Sequence, residues 1–397
     1  MRTYERTHSW ISFRCDLKRA SGDLWIALGE AASKCEHICR VPLRPATAQK
    51  LHQVYLAKGA AATTAIEGNT LSEAEVLKAV EGNLTVPPSK QYLKQEVENI
   101  IAACNLITKQ LAEGRLPLPS KDLLCAYNLQ VLDKLPLDKD VVPGELRTHS
   151  VLVGNVYRGA PAEDCPYLLD RLCEWLNGPE FRAQDKSAPG METVYTVLRA
   201  IVAHLYMAWI HPFGDGNGRS ARLLEFHILL SAGVPSPAAH LLSNHYNQTR
   251  AEYYRQLDHA SKSGGDIVPF LRYAVRGLVD GLRGQLEYIW DQQWDVVWRN
   301  YVHEQFQNKN SASDVRQRHL VLDLGVKNDW VQVGEITELT PRMAKAYASK
   351  TPKTVQRDLN TLSRMGLIVR EGRKIRAVRE IILAFLPLHR KTSHPAS

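Results

Sequence analysis

The 397 residues contain only seven cysteines, an odd number at scattered positions. Cys35 and Cys39 lie one helical turn apart, but no second pair completes a four-ligand zinc set. Such thiols pack as small hydrophobes, so the cysteines point to a reducing compartment and exclude a disulfide-stapled secreted scaffold. Residues 1–13 lack the apolar core of a signal peptide. The longest apolar run, Val194–Ile210, is interrupted by Arg199 and His204 and falls short of a membrane span, so it reads as a buried helix of a cytoplasmic protein with no membrane partner. Internal repeats and low-complexity tracts are also lacking.

Hydrophobic residues make up 44% of the chain and charged residues 23%, which excludes a disordered chain and suits two or three folded domains. The net charge of +8 is unevenly spread. Val331 to Glu380 holds eleven Lys or Arg against five Asp or Glu, and leaves +2 for the rest. A positive charge gathered near one end suggests an anionic partner there, nucleic acid first.

The periodicity is mainly that of α-helices. Helical patterns cover Leu24–Cys39, Pro45–Ile66, Gln91–Glu113, Lys121–Leu132, Tyr167–Leu176, Met191–Ile210, Ser220–Ala232, Ala251–Ser261 and Val268–Trp290. Gly68 and Asn69 tolerate the left-handed conformation that stops a helix, and Thr70 to Glu73 reads as a capping box. Pro143-Gly144 marks a turn. Ser150–Arg158 alternates β-branched and apolar residues around a central Gly-Asn, the pattern of a short hairpin. Asn308–Asp314 is polar and reads as a linker. The expected domains are an N-terminal helical segment (1–90), a core (91–290), a connecting helix or linker (291–320), a C-terminal module (321–390) and a tail (391–397).

The stretch from His211 to Arg222, HPFGDGNGRSAR, carries the chemistry. A buried helix ends there and another begins, with three glycines between. Glycines let backbone N–H groups converge on an anion, and the new helix turns its positive N-terminus to the same place. Arg219 and Arg222, three apart, share the first turns, so the segment reads as a polyphosphate cradle. Asp215 offers a hard oxygen suited to Mg²⁺. His211, with an ordinary pKa of about 6.5, suits a general base. The bland alternative is a plain helix–helix connection capped by Asp215, which leaves His211, Asn217 and both arginines without a reason to be together.

The segment resembles the Fic family motif H-P-F-x-D-G-N-G-R-x-x-R at every defined position. The resemblance runs over about Trp10–Leu282 and implies a mainly α Fic fold with a small β-hairpin flap. It also implies a protein adenylyltransferase that moves AMP from ATP to a protein hydroxyl and releases pyrophosphate. On that resemblance His211 is the base and Asp215 serves the Mg²⁺. Gly216, Asn217 and Gly218 hold the α- and β-phosphates, Arg219 takes the β-phosphate and Arg222 the γ-phosphate; Ser220 and Ala221 also belong to the implied ATP site. Thr63 to Asn69 resembles the family's inhibitory motif, with Thr63, Glu67 and Gly68 at its defined places. Glu67 would occupy Arg222 and misplace the γ-phosphate, within one chain or across a homodimer. The hairpin resembles the family's flap, so Val153, Gly154, Asn155 and Val156 would border the nucleotide. Tyr253 falls where relatives place a tyrosine near the adenine, although Tyr253-Tyr254 also reads as a core pair. Ser261 stands where some relatives carry an asparagine that contacts nucleotide. His204, two turns before His211, reads as a packing histidine. Target proteins, and the chain itself, are the implied acceptors.

Trp330–Val378 reads as a winged helix-turn-helix. Gly334 to Ile336 opens one helix. Thr351-Pro352 opens the next, with Val355, Leu359 and Leu362 as its buried stripe. Leu367–Val378 makes two strands around a basic tip. The exposed face would carry Lys353, Gln356, Arg357, Asn360 and Arg364, with Arg373 and Lys374 on the wing, a set suited to DNA. Protein binding, or a scaffold with a solvated basic face, suits the same residues. For the whole chain the alternatives are a DNA-binding regulator whose Fic domain senses nucleotide, or a Fic enzyme that moves another group or reverses the modification.

Overall fold

Apolar residues spaced three and four apart draw most of the chain into helices, and the computed structural model describes residues 2–153, 157–183 and 190–383. The chain divides into two units, Met1–Leu286 and Glu287–Ser397. The first opens with α1 (Thr3–Thr7), α2 (Gly22–Arg40), α3 (Pro45–Ala65), α4 (Glu73–Val80), α5 (Gln91–Ala112) and α6 (Lys121–Val131). A two-residue hairpin follows, with β1 (Leu152–Val153) antiparallel to β2 (Tyr157–Arg158). Then come α7 (Cys165–Leu176), α8 (Met191–Ile210), α9 (Asn217–Ser231), α10 (Ser236–Ala239), α11 (Leu241–Gln248), α12 (Arg250–Lys262) and α13 (Val268–Gln305).

The centre of the first unit is the pair α8 and α9, which make the most extensive helix–helix contact in the chain. Helices α2, α7 and α12 lie against α8, and α3, α5, α6 and α10 lie against α9. Fourteen of the twenty α8 residues are buried, Ile201, Leu205, Tyr206 and Trp209 among them. Each such large side chain contributes about 1.5–3 kcal/mol by leaving water. At twenty residues α8 is longer than the apolar run suggests, and by length and composition it is apolar enough to cross a membrane. Its burial inside the unit makes it a core helix instead.

Three local signals land differently from the sequence reading. The capping box of α4 is Ser72 with Glu75: the Ser72 side chain accepts from the Glu75 N–H and Glu75 accepts from the Ser72 N–H. Thr70 to Glu73 has the same spacing but lies two residues too early, before Leu71 has entered the core. Gly68 does take the left-handed conformation (φ 105°), whereas Asn69 works through its side chain. Helix α9 begins at Asn217, so the loop donates three residues to its first turn.

The second unit contains the end of α13, then α14 (Ala312–Lys327), α15 (Pro341–Tyr347) and α16 (Pro352–Arg364). Its three-stranded antiparallel sheet has the order β3–β5–β4, from β3 (Val331–Gln332), β4 (Ile368–Glu371) and β5 (Lys374–Ala377). Helix α13 runs past Trp290 to Gln305, and the polar stretch around Asn308 holds a short turn that ends at Ser311, the N-cap of α14. Gly334 to Ile336 forms a 3₁₀ turn rather than a helix; α15 opens at Thr340, whose hydroxyl accepts from the Met343 N–H. Leu359 and Leu362 enter the core with Trp298, Phe306, Leu320, Leu324, Ile336 and Ile375, while Val355 packs at its edge. Asp358 is wholly buried and accepts from Arg316 (2.7 Å), Gln317 (2.8 Å) and Tyr347 (3.2 Å).

Candidate active site

Helix α8 stops at His211, which adopts the left-handed conformation (φ 51°, ψ 58°) as its C-cap. The loop then turns through Phe213, fully buried, and Asn217 holds the turn. Its Oδ1 accepts from the Phe213 N–H (2.9 Å) and its Nδ2 donates to the Phe213 carbonyl (2.8 Å). Asn128 on α6 adds a second tie, with Nδ2 to the Asp215 carbonyl at 2.8 Å. Gly216 is left-handed (φ 76°), and no side chain caps the start of α9. The first N–H groups of a fifteen-residue helix are thus turned to the loop, the arrangement that receives an anion.

Both arginines are buried. Arg219 donates from Nη1 to Glu96 of α5 (2.6 Å) and from Nη2 to Asp215 (3.0 Å). Arg222 donates from Nη2 to the Glu67 carboxylate (2.6 Å) and to the Thr63 carbonyl (2.9 Å). Glu67 is one-third exposed and lies directly over the start of α9: a Cβ built on Gly218 would stand 2.2 Å from Glu67 Oε1 and 3.0 Å from an Arg222 nitrogen. The carboxylate therefore rests where an anion at the helix N-terminus would rest, and it does so within one chain.

Sequence reasoning missed several residues of this site. Glu96 is buried and its pKa is raised by burial against the opposing pull of Arg219 and Asn69. Asn69 donates to Glu96 (2.9 Å) and to the Leu93 carbonyl (2.9 Å), so the turn after Glu67 is fastened to the residue that holds Arg219. The signal for Glu96 was present, because it lies three and four residues from Leu93 and Ile100 on the apolar stripe of α5. Arg147 carries no such signal in the sequence, yet it is buried and bonds four carbonyls beside His211. A cleft of about 360 Å³ opens beside the loop, lined by Glu67, Tyr92, Glu96, Leu137, Asp215 and Arg219 among others.

His211 is half-buried, and its pKa is pushed down to about 4 by burial first and the Arg147 cation second. The ring is neutral at pH 7. Asp215 is half-exposed at the mouth of the cleft, its Oδ1 engaged by Arg219. Among the described residues no group of three His, Cys, Asp or Glu could hold a metal ion. A Mg²⁺ ion here would have Asp215 as its protein carboxylate and would complete its shell with phosphate oxygens and water.

His204 is fully buried; its Nε2 meets the Tyr253 hydroxyl at 2.9 Å and its ring lies beside Tyr246. Tyr253 is thereby placed in the core, stacked with Tyr246 (ring centroids 4.9 Å apart), while Tyr254 is exposed. Ser261 is buried and donates to the Asp258 carbonyl. Ser220 and Ala221 are buried within α9, behind the loop. Val153 pairs with Tyr157 in the hairpin; Gly154, Asn155 and Val156 lie outside the described residues. In the second unit Lys353, Gln356, Arg357, Asn360 and Arg364 are all exposed on α16, and Arg373 and Lys374 are exposed at the turn between β4 and β5.

The model of the Fic/DOC family matches residues 117–229, a span that contains the loop and both central helices. "Protein adenylyltransferase fic-1" of Caenorhabditis briggsae is 32% identical over 222 residues, which are 54% of this chain and 38% of that protein. "Protein adenylyltransferase Fic" of Nematostella vectensis is 28% identical over 214 residues, 54% of this chain and 45% of that protein. The chain thus spans less than half the length of these curated relatives. Among solved structures, Fic-1 (aa134–508) from C. elegans is 25% identical with a TM-score of 0.53, over 67% of this chain and 72% of that one. A Fic family protein from Desulfovibrio desulfuricans G20 has the same fold at 19% identity, with a TM-score of 0.54 over 90% of this chain and 96% of that one. Residues 117–229 thus match a Fic/DOC domain, and the chain shares the fold of these Fic family structures.

Proposed function

We propose that the chain transfers AMP from ATP to a hydroxyl of a target protein, or of itself, with release of pyrophosphate. One observation carries the reading: the Glu67 carboxylate lies on the uncapped start of α9 and engages Arg222, as one anion would stand in for another. In the working state ATP phosphates take that place, with Arg219 and Arg222 as their cations and the first N–H groups of α9 as donors. His211, neutral at pH 7, takes the proton of the acceptor hydroxyl as its oxygen attacks the α-phosphorus; negative charge from bound phosphates raises its basicity. Asp215 would hold Mg²⁺, which would neutralise phosphate charge. The short hairpin offers a strand edge to an extended target segment, which places a hydroxyl without reading much sequence. Catalysis is then positioning and electrostatic stabilisation.

Glu67 is the brake in this reading, because Arg222 cannot serve it and a γ-phosphate together. Incubation with α-labelled and γ-labelled ATP and Mg²⁺ tests both claims. Protein label is expected from the α position only, rising at least about tenfold in Glu67→Gly and vanishing in His211→Ala. Equal or lower labelling by folded Glu67→Gly refutes the brake. Label from the γ position, or loss of AMP from a pre-labelled target, assigns a different transferred group or the reverse reaction. We place the reaction in the cytoplasm, on the strength of the scattered cysteines.

We propose a second role for residues 287–383: a winged helix that binds DNA. The observation that favours it is the segregation of α16, with Asp358, Leu359 and Leu362 buried and five polar or basic side chains exposed. A gel shift with duplex DNA tests it; binding that survives removal of the basic residues, or that ignores salt, defeats it.

A further inference from the structure

The end of an α-helix leaves its last carbonyls without helical partners. At the end of α8 the carbonyls from Trp209 to Phe213 each find one. Trp209 O accepts from the Tyr157 hydroxyl (2.8 Å), Ile210 O from Arg147 Nη2 (3.4 Å) and His211 O from Arg147 Nε (2.7 Å). Pro212 O accepts from the Arg147 backbone N–H (3.0 Å), and Phe213 O from Asn217. Four of these five donors belong to Arg147 or Tyr157, the residues that flank and form the hairpin. The same guanidinium reaches back to the hairpin's base, from Nη1 to His149 O (2.7 Å) and from Nη2 to Ala160 O. It therefore touches the chain before the hairpin, the chain after it, and the loop that carries the imidazole.

We propose that Arg147 is a positioning residue: it joins the base of the hairpin to the left-handed turn at His211, so that general base and flap keep a fixed relation. This rests on the AMP-transfer reading above. The guanidinium is buried and all its acceptors are carbonyl oxygens, at a helix C-terminus whose dipole favours a cation. A cation held this way costs stability that a carboxylate partner would reduce, which is the expense expected at a site built for geometry. Gly159 is the second part of the joint. A Cβ there would come 2.9 Å from Arg147 Nη2 and 3.0 Å from His211 Cβ, so the chain leaving the hairpin passes where a methyl group has no room. Beyond Arg147, the groups that face His211 are Glu67 and Asp215. Those around Arg147 are His8, Tyr157, Glu163 and Cys165.

Arg147→Lys and Gly159→Ala, each in the Glu67→Gly chain, test the joint. Lysine keeps the charge but cannot span four carbonyls; the alanine removes no buried charge and serves if the lysine variant fails to fold. The turnover of AMP transfer is expected to fall about tenfold or more, with the calorimetric Kd for ATP moving less than about threefold, because Arg147 lies off the phosphate cradle. A folded variant of either kind with turnover within about twofold of its parent overturns the proposal, as does a loss of ATP affinity that matches the loss of turnover. If the Glu67→Gly parent moves no AMP, the transfer reading fails by itself. The joint is then judged from the NMR signal of the His211 ring, assigned by its loss in His211→Ala and recorded without nucleotide. A shifted signal in both variants upholds it, and an unchanged one overturns it.

Discussion

Asn217 shows how much one side chain settles at this site. It closes the loop by bonding both the N–H and the carbonyl of buried Phe213. An alanine there leaves two buried backbone groups unpaired, each at about 1–3 kcal/mol. Asn217→Ala is therefore expected to lower the stability of the first unit by about 2–4 kcal/mol in urea unfolding followed by tryptophan fluorescence. A change below about 0.5 kcal/mol would show that the loop holds itself without this clamp. At this scale the motif residues were legible and their supports were not. His211, Asp215, Arg219, Arg222 and Glu67 lie in short stretches whose residue types declare their chemistry. Arg147 and Glu96 reach the site from separate parts of the chain, and only tertiary packing brings them there; Asn69 stands two residues after Glu67, and its bond to Glu96 emerges only in the fold. Glu96 alone announced itself, as a carboxylate on an apolar stripe.

Among the elements, helices were readable because long amphipathic stripes repeat over many residues, and their ends were less so. Thr70 to Glu73 and Ser72 to Glu75 both fit the capping-box spacing, and packing of Leu71 and Val76 decided between them. The start of α9 was hidden because glycine and asparagine lower helix propensity, while the clamp to Phe213 restores it. In the second unit β3 was missed because two residues carry no periodicity, although its pairing with β5 completes the sheet. The DNA proposal belongs here, since it depends on one helix face. Each phosphate-contacting cation contributes about one to the slope of log affinity against log salt. Arg357→Ala and Lys353→Ala are expected to lower that slope by about one each and to leave the fold intact, because both side chains are exposed. Substitution of Asp358 would not serve, because it removes the buried partner of Arg316.

For the whole molecule, buried titratable groups set the response to acid. Burial drives His204 and His240 down to about 3 and His211 and His227 down to about 4. A folded-state pKa below the unfolded value of about 6.5 gives stability that is full above that value and is lost as pH falls toward the folded pKa. Glu225 acts oppositely: burial raises it to about 8, despite the Tyr246 hydrogen bond and Arg222, so its contribution is full below its unfolded pKa of about 4.3 and is lost as pH rises through 8. Four histidines outweigh one carboxyl. Unfolding near pH 5 is expected to take up about three protons, so stability should fall steeply from about pH 6.5 toward pH 4. Unfolding free energies measured across that range check the slope, and a flat profile would mean that these rings are charged in the native state.

Under the proposed function, the carboxylate over Gly218 also makes the protein its own competitor. A tethered anion never dilutes away, so nucleotide must outbid a ligand whose local concentration is fixed by the fold. The apparent affinity for ATP is then the intrinsic one scaled by the fraction of time the tether is off. A partner that pulled on the turn from Glu67 to Asn69 would change output by altering that fraction, with no need to touch the catalytic loop.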